Sequence, residues 1–251
     1  MYPTLFTIGP FVISTIWIFL VISTYIFIKM LIKSIQKKRG DFKFLYANSS
    51  FLIISFIIGA RLTYVVANAR YYMYDLPQIF ALWDKGLSFW GGLILTLAGL
   101  FFKTRVHKES FNKWMDYLAE PFLYALPIAY IGKFFDGMGY GAKTDLPLGI
   151  AFKNMDVAII SPVHPTQLYG AVLMTIGILI TRTYFKKYPE HTKIPGYKAT
   201  WIIAVIAIAV LIENIFRGDP SMMIFNLRST LYLSFIISLA SCINLIRLKK
   251  Q

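Results

Sequence analysis

Four stretches of this sequence contain no charged residue: Met1 to Ile28, Gly86 to Phe102, Val157 to Thr181 and Ser229 to Ile246. Crossing the hydrocarbon core of a bilayer takes roughly 20 apolar residues in a helix. Backbone amides and carbonyls in that core must bond internally, which restricts the spanning structures to helices and closed barrels. Uninterrupted apolar runs of this length predict helices. Composition points the same way, with 57% hydrophobic and 17% aromatic residues against 15% charged, a balance unsuited to a soluble globule. The chain is therefore expected to be an all-α integral membrane protein, one polytopic domain over residues 1–251.

Charge-poor runs place seven spans, near Phe11 to Ile32, Phe51 to Tyr64, Gly86 to Phe102, Asp116 to Gly132, Val163 to Thr181, Thr200 to Ile215 and Thr230 to Ile246. The fourth contains Pro121 and Pro127, which remove amide donors and require support from neighbouring helices. Lys and Arg are distributed unevenly between the connections. Eighteen of the 26 follow spans one, three, five and seven. The others are Arg61, Arg70, Lys85, Lys133, Lys143, Lys153, Arg217 and Arg228. This asymmetry predicts an N-terminus outside and a C-terminus in the cytoplasm, with an outward connection over about 133–162. The basic cluster comes after the first apolar run, where a cleaved signal peptide would need it before, so the first span is expected to be retained. The net charge of +14 is read as topology and not as a nucleic-acid surface. The lone Cys242 supplies neither a disulfide framework nor a metal site.

Ionisable residues at membrane depth are costly and become functional candidates. Arg61 closes span two, Lys133 and Asp136 follow the proline-containing span, and Glu213 and Arg217 end span six. Arg61, Lys133, Arg217 and Arg228 on one side suggest a site for an anionic headgroup; snorkelling to the interface is the alternative for each. Glu213 and Arg217 lie four apart, so on a helix they share a face and are able to pair. The run Gly137-Met138-Gly139-Tyr140-Gly141 suits a backbone that approaches a ligand closely. His164 before Pro165 reads either as a hydrogen-bonded structural residue or as a base.

Several segments together resemble prolipoprotein diacylglyceryl transferase. They are Met1-Tyr2-Pro3-Thr4-Leu5-Phe6-Thr7-Ile8-Gly9-Pro10-Phe11, Gly59-Ala60-Arg61-Leu62, Ser88-Phe89-Trp90-Gly91-Gly92-Leu93, Ile131-Gly132 through Tyr140-Gly141, His164-Pro165-Thr166-Gln167-Leu168-Tyr169 and Phe216-Arg217-Gly218-Asp219-Pro220. The resemblance implies a multi-pass protein of the bacterial cytoplasmic (inner) membrane. It also implies transfer of diacylglyceryl from phosphatidylglycerol to the lipobox cysteine thiol of a preprolipoprotein signal peptide, releasing glycerol phosphate. It implies no metal or nucleotide cofactor and no nucleic-acid partner. Carried over to this sequence, it makes Arg217 and Arg61 candidates for lipid-phosphate contact; with Lys133, Tyr130, Asp136 and Gln167 they are the candidate phospholipid-binding residues, and His164 and Glu213 are the candidate bases.

The departures from the family pattern fall on functional positions. Trp90 stands in the family's His-Gly-Gly motif, and an indole nitrogen only donates. Tyr130 takes the arginine of the glycine-arginine pair, and Lys133 stands where the family often has asparagine or cysteine. Met138 and Gly170 stand where glutamates are expected, and Ile16-Trp17 replaces a Tyr-Gly. A paralogue that binds lipid or lipoprotein without transferring is the alternative reading.

Overall fold

The computed structural model describes residues 4–8, 11–37, 40, 42–81, 86–152, 161–220 and 223–250. Met1-Tyr2-Pro3 and Gly9-Pro10 of the first motif lie outside the described residues, as do Lys38, Arg39, Lys85 and Lys153. The chain falls into two compact units, one of residues 1–37 and 115–251, the other of residues 38–114.

The larger unit opens with an antiparallel hairpin, β1 (Thr4–Ile8) and β2 (Phe11–Ser14), before α1 (Thr15–Lys37). The first apolar run thus starts as a strand where the sequence predicts helix. Val12 and Ile13 are β-branched and find backbone partners across the hairpin. In the smaller unit, α2 (Phe42–Ala67) and α4 (Phe89–Val106) are joined through a short helix α3 (Ala69–Tyr72) and a 3-10 turn, Leu76–Phe80. The second span is longer than its apolar run, and within the added first turns Asn48 satisfies its side-chain amide on the Phe44 carbonyl of the same helix. The chain continues through α5 (Phe111–Asp136), α6 (Thr166–Lys187), α7 (Tyr197–Phe216), a hairpin of β3 (Met223–Ile224) and β4 (Leu227–Arg228), and α8 (Ser229–Lys249). Helix α6 starts at Thr166, three residues after the predicted Val163, because Val163 is held in bridges to Lys143 and Ile150.

Six of these helices, α1, α2, α4, α6, α7 and α8, are long and apolar enough to cross a membrane. The protein is a multi-pass membrane protein. Helix α5 falls outside that group: it carries Lys113, Asp116, Glu120 and Lys133 and runs through both prolines. Its polar side chains are used inside the protein. Asp116 accepts from the amides of Gly196 and Ala199 at 2.8 Å each, capping the start of α7, and Glu120 pairs with Lys198. Ser23 of α1 donates to the Ala125 carbonyl, between the prolines. The core of the larger unit forms where α5, α6 and α7 bury Leu123, Met174 and Ile202.

Helix packing follows membrane rules, with small residues inward and large apolar ones outward. Helix α8 buries Ser234, Ser238 and Ser241 and exposes Phe235, Ile236, Leu239 and Ile243. The α7–α8 pair is tied at both ends, Thr230 to Asn214 at 2.6 Å and Asn244 to Thr200 at 3.1 Å. In the smaller unit α2 and α4 meet through glycines. A Cβ on Gly59 would stand 2.4 Å from the Gly91 carbonyl oxygen, and one on Gly91 would stand 2.4 Å from the Thr63 Cβ.

Candidate functional site

At the end of α5, Tyr130 and Lys133 are one helical turn apart. The Lys133 ammonium lies 4.8 Å from the centre of the Tyr130 ring. Tyr130 donates its hydroxyl to the Glu213 carboxylate of α7 at 2.5 Å. Both partners are buried, Tyr130 at 8% exposure and Glu213 at 2%. The ring of Tyr130 occupies the space beside Gly170 on α6, where a Cβ would come within 2.2 Å of it.

The glycine-rich run turns over this group. Gly137 and Gly139 have φ of 76° and 73°, a region that side chains disfavour. The turn is pinned from α6: Thr166 donates to the Gly139 carbonyl at 2.5 Å, and Gln167 donates to the Met138 carbonyl at 3.1 Å. Gln167 is 1% exposed, and its amide oxygen has no hydrogen-bond partner among the described residues. Gly141 bonds the His164 carbonyl through its amide, and Ala142 bonds that of Phe216. His164 is half-buried, its Nδ1 3.2 Å from the Tyr169 hydroxyl and its ring against Phe216.

Arg217 follows α7 in extended backbone and forks onto Asp219, Nε to Oδ1 at 2.9 Å and Nη2 to Oδ2 at 2.6 Å. Arg228 joins the same carboxylate, Nη1 to Oδ1 at 3.0 Å, and bonds the Asp219 carbonyl. Two guanidinium groups therefore share one carboxylate, which leaves this trio with a net positive charge. Burial acts to lower the Arg217 pKa, but its bonds to Asp219 outweigh that and raise it, so Arg217 stays charged. The point where a Cβ on Gly139 would stand is 3.5 Å from Arg217 Nη2 and 3.9 Å from Lys133 Nζ. The two cations thus converge on one glycine.

Of the residues singled out in the sequence, Tyr130, Lys133, Glu213 and Arg217 come together around the glycine turn, with Gln167 pinning it and His164 bonded to its far end. Asp136 closes α5 and makes an interaction of its own. Glu213 and Arg217 turn to different partners, Tyr130 and Asp219, although they are four residues apart. Arg61 belongs to the smaller unit, where it is 5% exposed and donates to three carbonyls: Ile79 from Nε at 2.8 Å, Gly86 from Nη1 at 3.0 Å and Gln78 from Nη2 at 2.5 Å. Trp90 is in the smaller unit too, at the exposed start of α4. The roles of Asp219, Arg228 and Thr166 are not evident from periodicity. The sequence signals for Asp219 are its place in the Phe216-Arg217-Gly218-Asp219-Pro220 motif and its i, i+2 spacing from Arg217, which in extended backbone puts two side chains on the same face.

Comparison with known proteins gives a consistent result. A model of the family described as prolipoprotein diacylglyceryl transferase matches residues 3–247. The phosphatidylglycerol–prolipoprotein diacylglyceryl transferase of Tropheryma whipplei (strain Twist) is 28% identical over 196 residues, covering 76% of this chain and 71% of the relative. Proteins of the same name from Geobacter sulfurreducens and Roseobacter denitrificans are 39% identical over 124 residues and 30% over 184. The first of these alignments covers 49% of this chain and 46% of the relative, the second 70% and 62%.

Proposed function

The chain belongs to the prolipoprotein diacylglyceryl transferase family, and on that premise we propose that it binds phosphatidylglycerol by its phosphate between Lys133 and Arg217. We further propose that it passes diacylglyceryl to a lipobox cysteine thiol slowly or not at all. The observation that carries the binding reading is the convergence of the two cations on Gly139. Arg217 gives Nε and one Nη2 hydrogen to Asp219, and a guanidinium carries five N–H donors, so it has further donors for phosphate oxygens; lysine adds a point charge. Gly139 lets the backbone lie beside the phosphate, and Gln167 and Thr166 fix its position. On the proposed topology, with seven spans, α5 among them, and the N-terminus outside, the site opens to the outer face of the bacterial inner membrane.

In the transfer itself, thiolate sulfur attacks the glyceryl carbon, the carbon–oxygen bond to phosphate breaks, and glycerol phosphate leaves. Lys133 and Arg217 would hold the charge developing on that phosphate. The thiol proton needs an acceptor, and each candidate base already has one of its two polar atoms bonded to a tyrosine hydroxyl. Glu213 holds the Tyr130 hydroxyl, His164 Nδ1 faces the Tyr169 hydroxyl, and Trp90 carries no acceptor. Losing a general base costs about 10² to 10⁴ in rate. A second reading, an active transferase, is favoured by the buried Glu213 carboxylate, which would take the thiol proton if Tyr130 released it.

Thioether lipidation of a lipobox peptide by purified protein in phosphatidylglycerol vesicles separates the two. The binding reading predicts little product from the natural protein and a gain from the Trp90→His, Tyr130→Arg double variant. Ordinary turnover by the natural protein, abolished in Glu213→Gln, would establish the second.

A further inference from the structure

In the smaller unit, the connection after α2 displays five large apolar side chains, Tyr71, Met73, Tyr74, Leu76 and Phe80. Tyr74 is 93% exposed and Phe80 78%. A loop in water would normally bury or omit such groups. This one is also held in place, because the Arg61 guanidinium, itself buried against the Tyr72 ring at 5.3 Å, bonds the carbonyls of Gln78, Ile79 and Gly86. Tyr71 adds a bond from its hydroxyl to the Gln78 side chain at 2.8 Å.

The partner follows from what the segment continues. Ile54, Ile58, Leu62 and Val66 are exposed at four-residue spacing along α2, one stripe of a helix apolar enough to cross a bilayer. Tyr71 and Met73 follow shortly after it in the chain. The connection is tethered at both ends to such helices, α2 and α4, so it begins and ends at the membrane surface. Its composition suits the headgroup boundary, where tyrosines place an apolar ring inward and a hydroxyl outward. Residues 68–81 contain two charges, Arg70 and Asp75, both exposed.

We propose that residues 71–80 form an interfacial plate that lies in the headgroup region of the bilayer, with Arg61 as the positioning residue that keeps it flat. The partner is the lipid surface itself, and a signal peptide docked on the same face is the rival occupant. The proposal rests on α2 and α4 crossing the membrane, not on the phosphate site.

The test uses the full chain with Cys242→Ser and a single Tyr74→Cys or Phe80→Cys, labelled with an environment-sensitive fluorophore in phosphatidylglycerol-containing nanodiscs without peptide. Ile54→Cys serves as the deep reference and Lys193→Cys as the aqueous one. Labels at Tyr74→Cys and Phe80→Cys should be blue-shifted from the aqueous reference. They should lose most of their emission to lipids carrying a quencher near the glycerol backbone, and little to a quencher in the acyl-chain centre or in water. Quenching only from water would overturn the proposal, and so would quenching that appears from lipid only after a signal peptide is added. Failure of the Ile54→Cys label to meet acyl-chain quencher would overturn the spanning of α2 and the plate with it. In Arg61→Lys protein of unchanged helix content, the Tyr74→Cys label should gain mobility, read as a fall in anisotropy. Unchanged anisotropy would remove Arg61 from the account.

Discussion

A glutamate at position 170 has no room while position 130 is tyrosine, since even a Cβ on Gly170 would meet the Tyr130 ring at 2.2 Å. The two departures from the family pattern are thus sterically one change. The ring fills what Gly170 leaves open, and its hydroxyl gives the buried Glu213 carboxylate a hydrogen bond. Gly170→Glu alone should destabilise the protein by about 1–3 kcal/mol through overpacking, and Tyr130→Arg alone should leave a gap beside Gly170. Together they should cost less than the sum, with a coupling of about 0.5–3 kcal/mol. Thermal unfolding of the four proteins in detergent measures it, and additive effects would mean that the residues are independent. At this scale the sequence makes Lys133 and Arg217 legible, because cations beside apolar segments stand out. The Asp219–Arg228 contact is not legible, because it depends on the β3–β4 hairpin returning the chain, and two-residue strands leave no periodic trace.

Among the elements, glycine contacts decide where α2 and α4 meet. Gly91 and Gly92 sit in the same motif as Trp90, yet the glycines are pressed against α2 while Trp90 is 49% exposed. Gly91→Val should therefore cost stability, about 1–3 kcal/mol by overpacking, whereas Trp90→His should leave the melting temperature near that of the natural protein. Equal losses from both would contradict this division. Helix positions were readable from charge-free runs, but helix ends were not. Phe11 to Ser14 is as apolar as the helix after it, and only hairpin pairing makes it a strand. Helix α5 posed the opposite difficulty. Nothing in the sequence shows that Gly196, Ala199 and Lys198 receive its acids Asp116 and Glu120.

For the whole molecule, the uneven spread of Lys and Arg predicts orientation. With Cys242→Ser as background, Asn68→Cys should react with an impermeant thiol reagent in intact cells, and Lys37→Cys should not. Labelling of Lys37→Cys would reverse the topology and move the Lys133–Arg217 site to the cytoplasmic face. The family could be read from motif order along the chain because packing glycines and turn residues tolerate little change. Activity could not, because Trp90 and Tyr130 stand where the resemblance implies reacting groups, and what the second replacement does emerges only from the contacts Tyr130 forms with Gly170 and Glu213. The most direct test of the central claim is equilibrium binding of phosphatidylglycerol to purified protein, beside Lys133→Ala, Arg217→Lys and the exposed-loop control Lys193→Ala. The phosphate site predicts at least about tenfold weaker binding for Lys133→Ala, equivalent to about 1.4 kcal/mol, a clear loss for Arg217→Lys, and no change for Lys193→Ala. Equal affinity in all four proteins would contradict it.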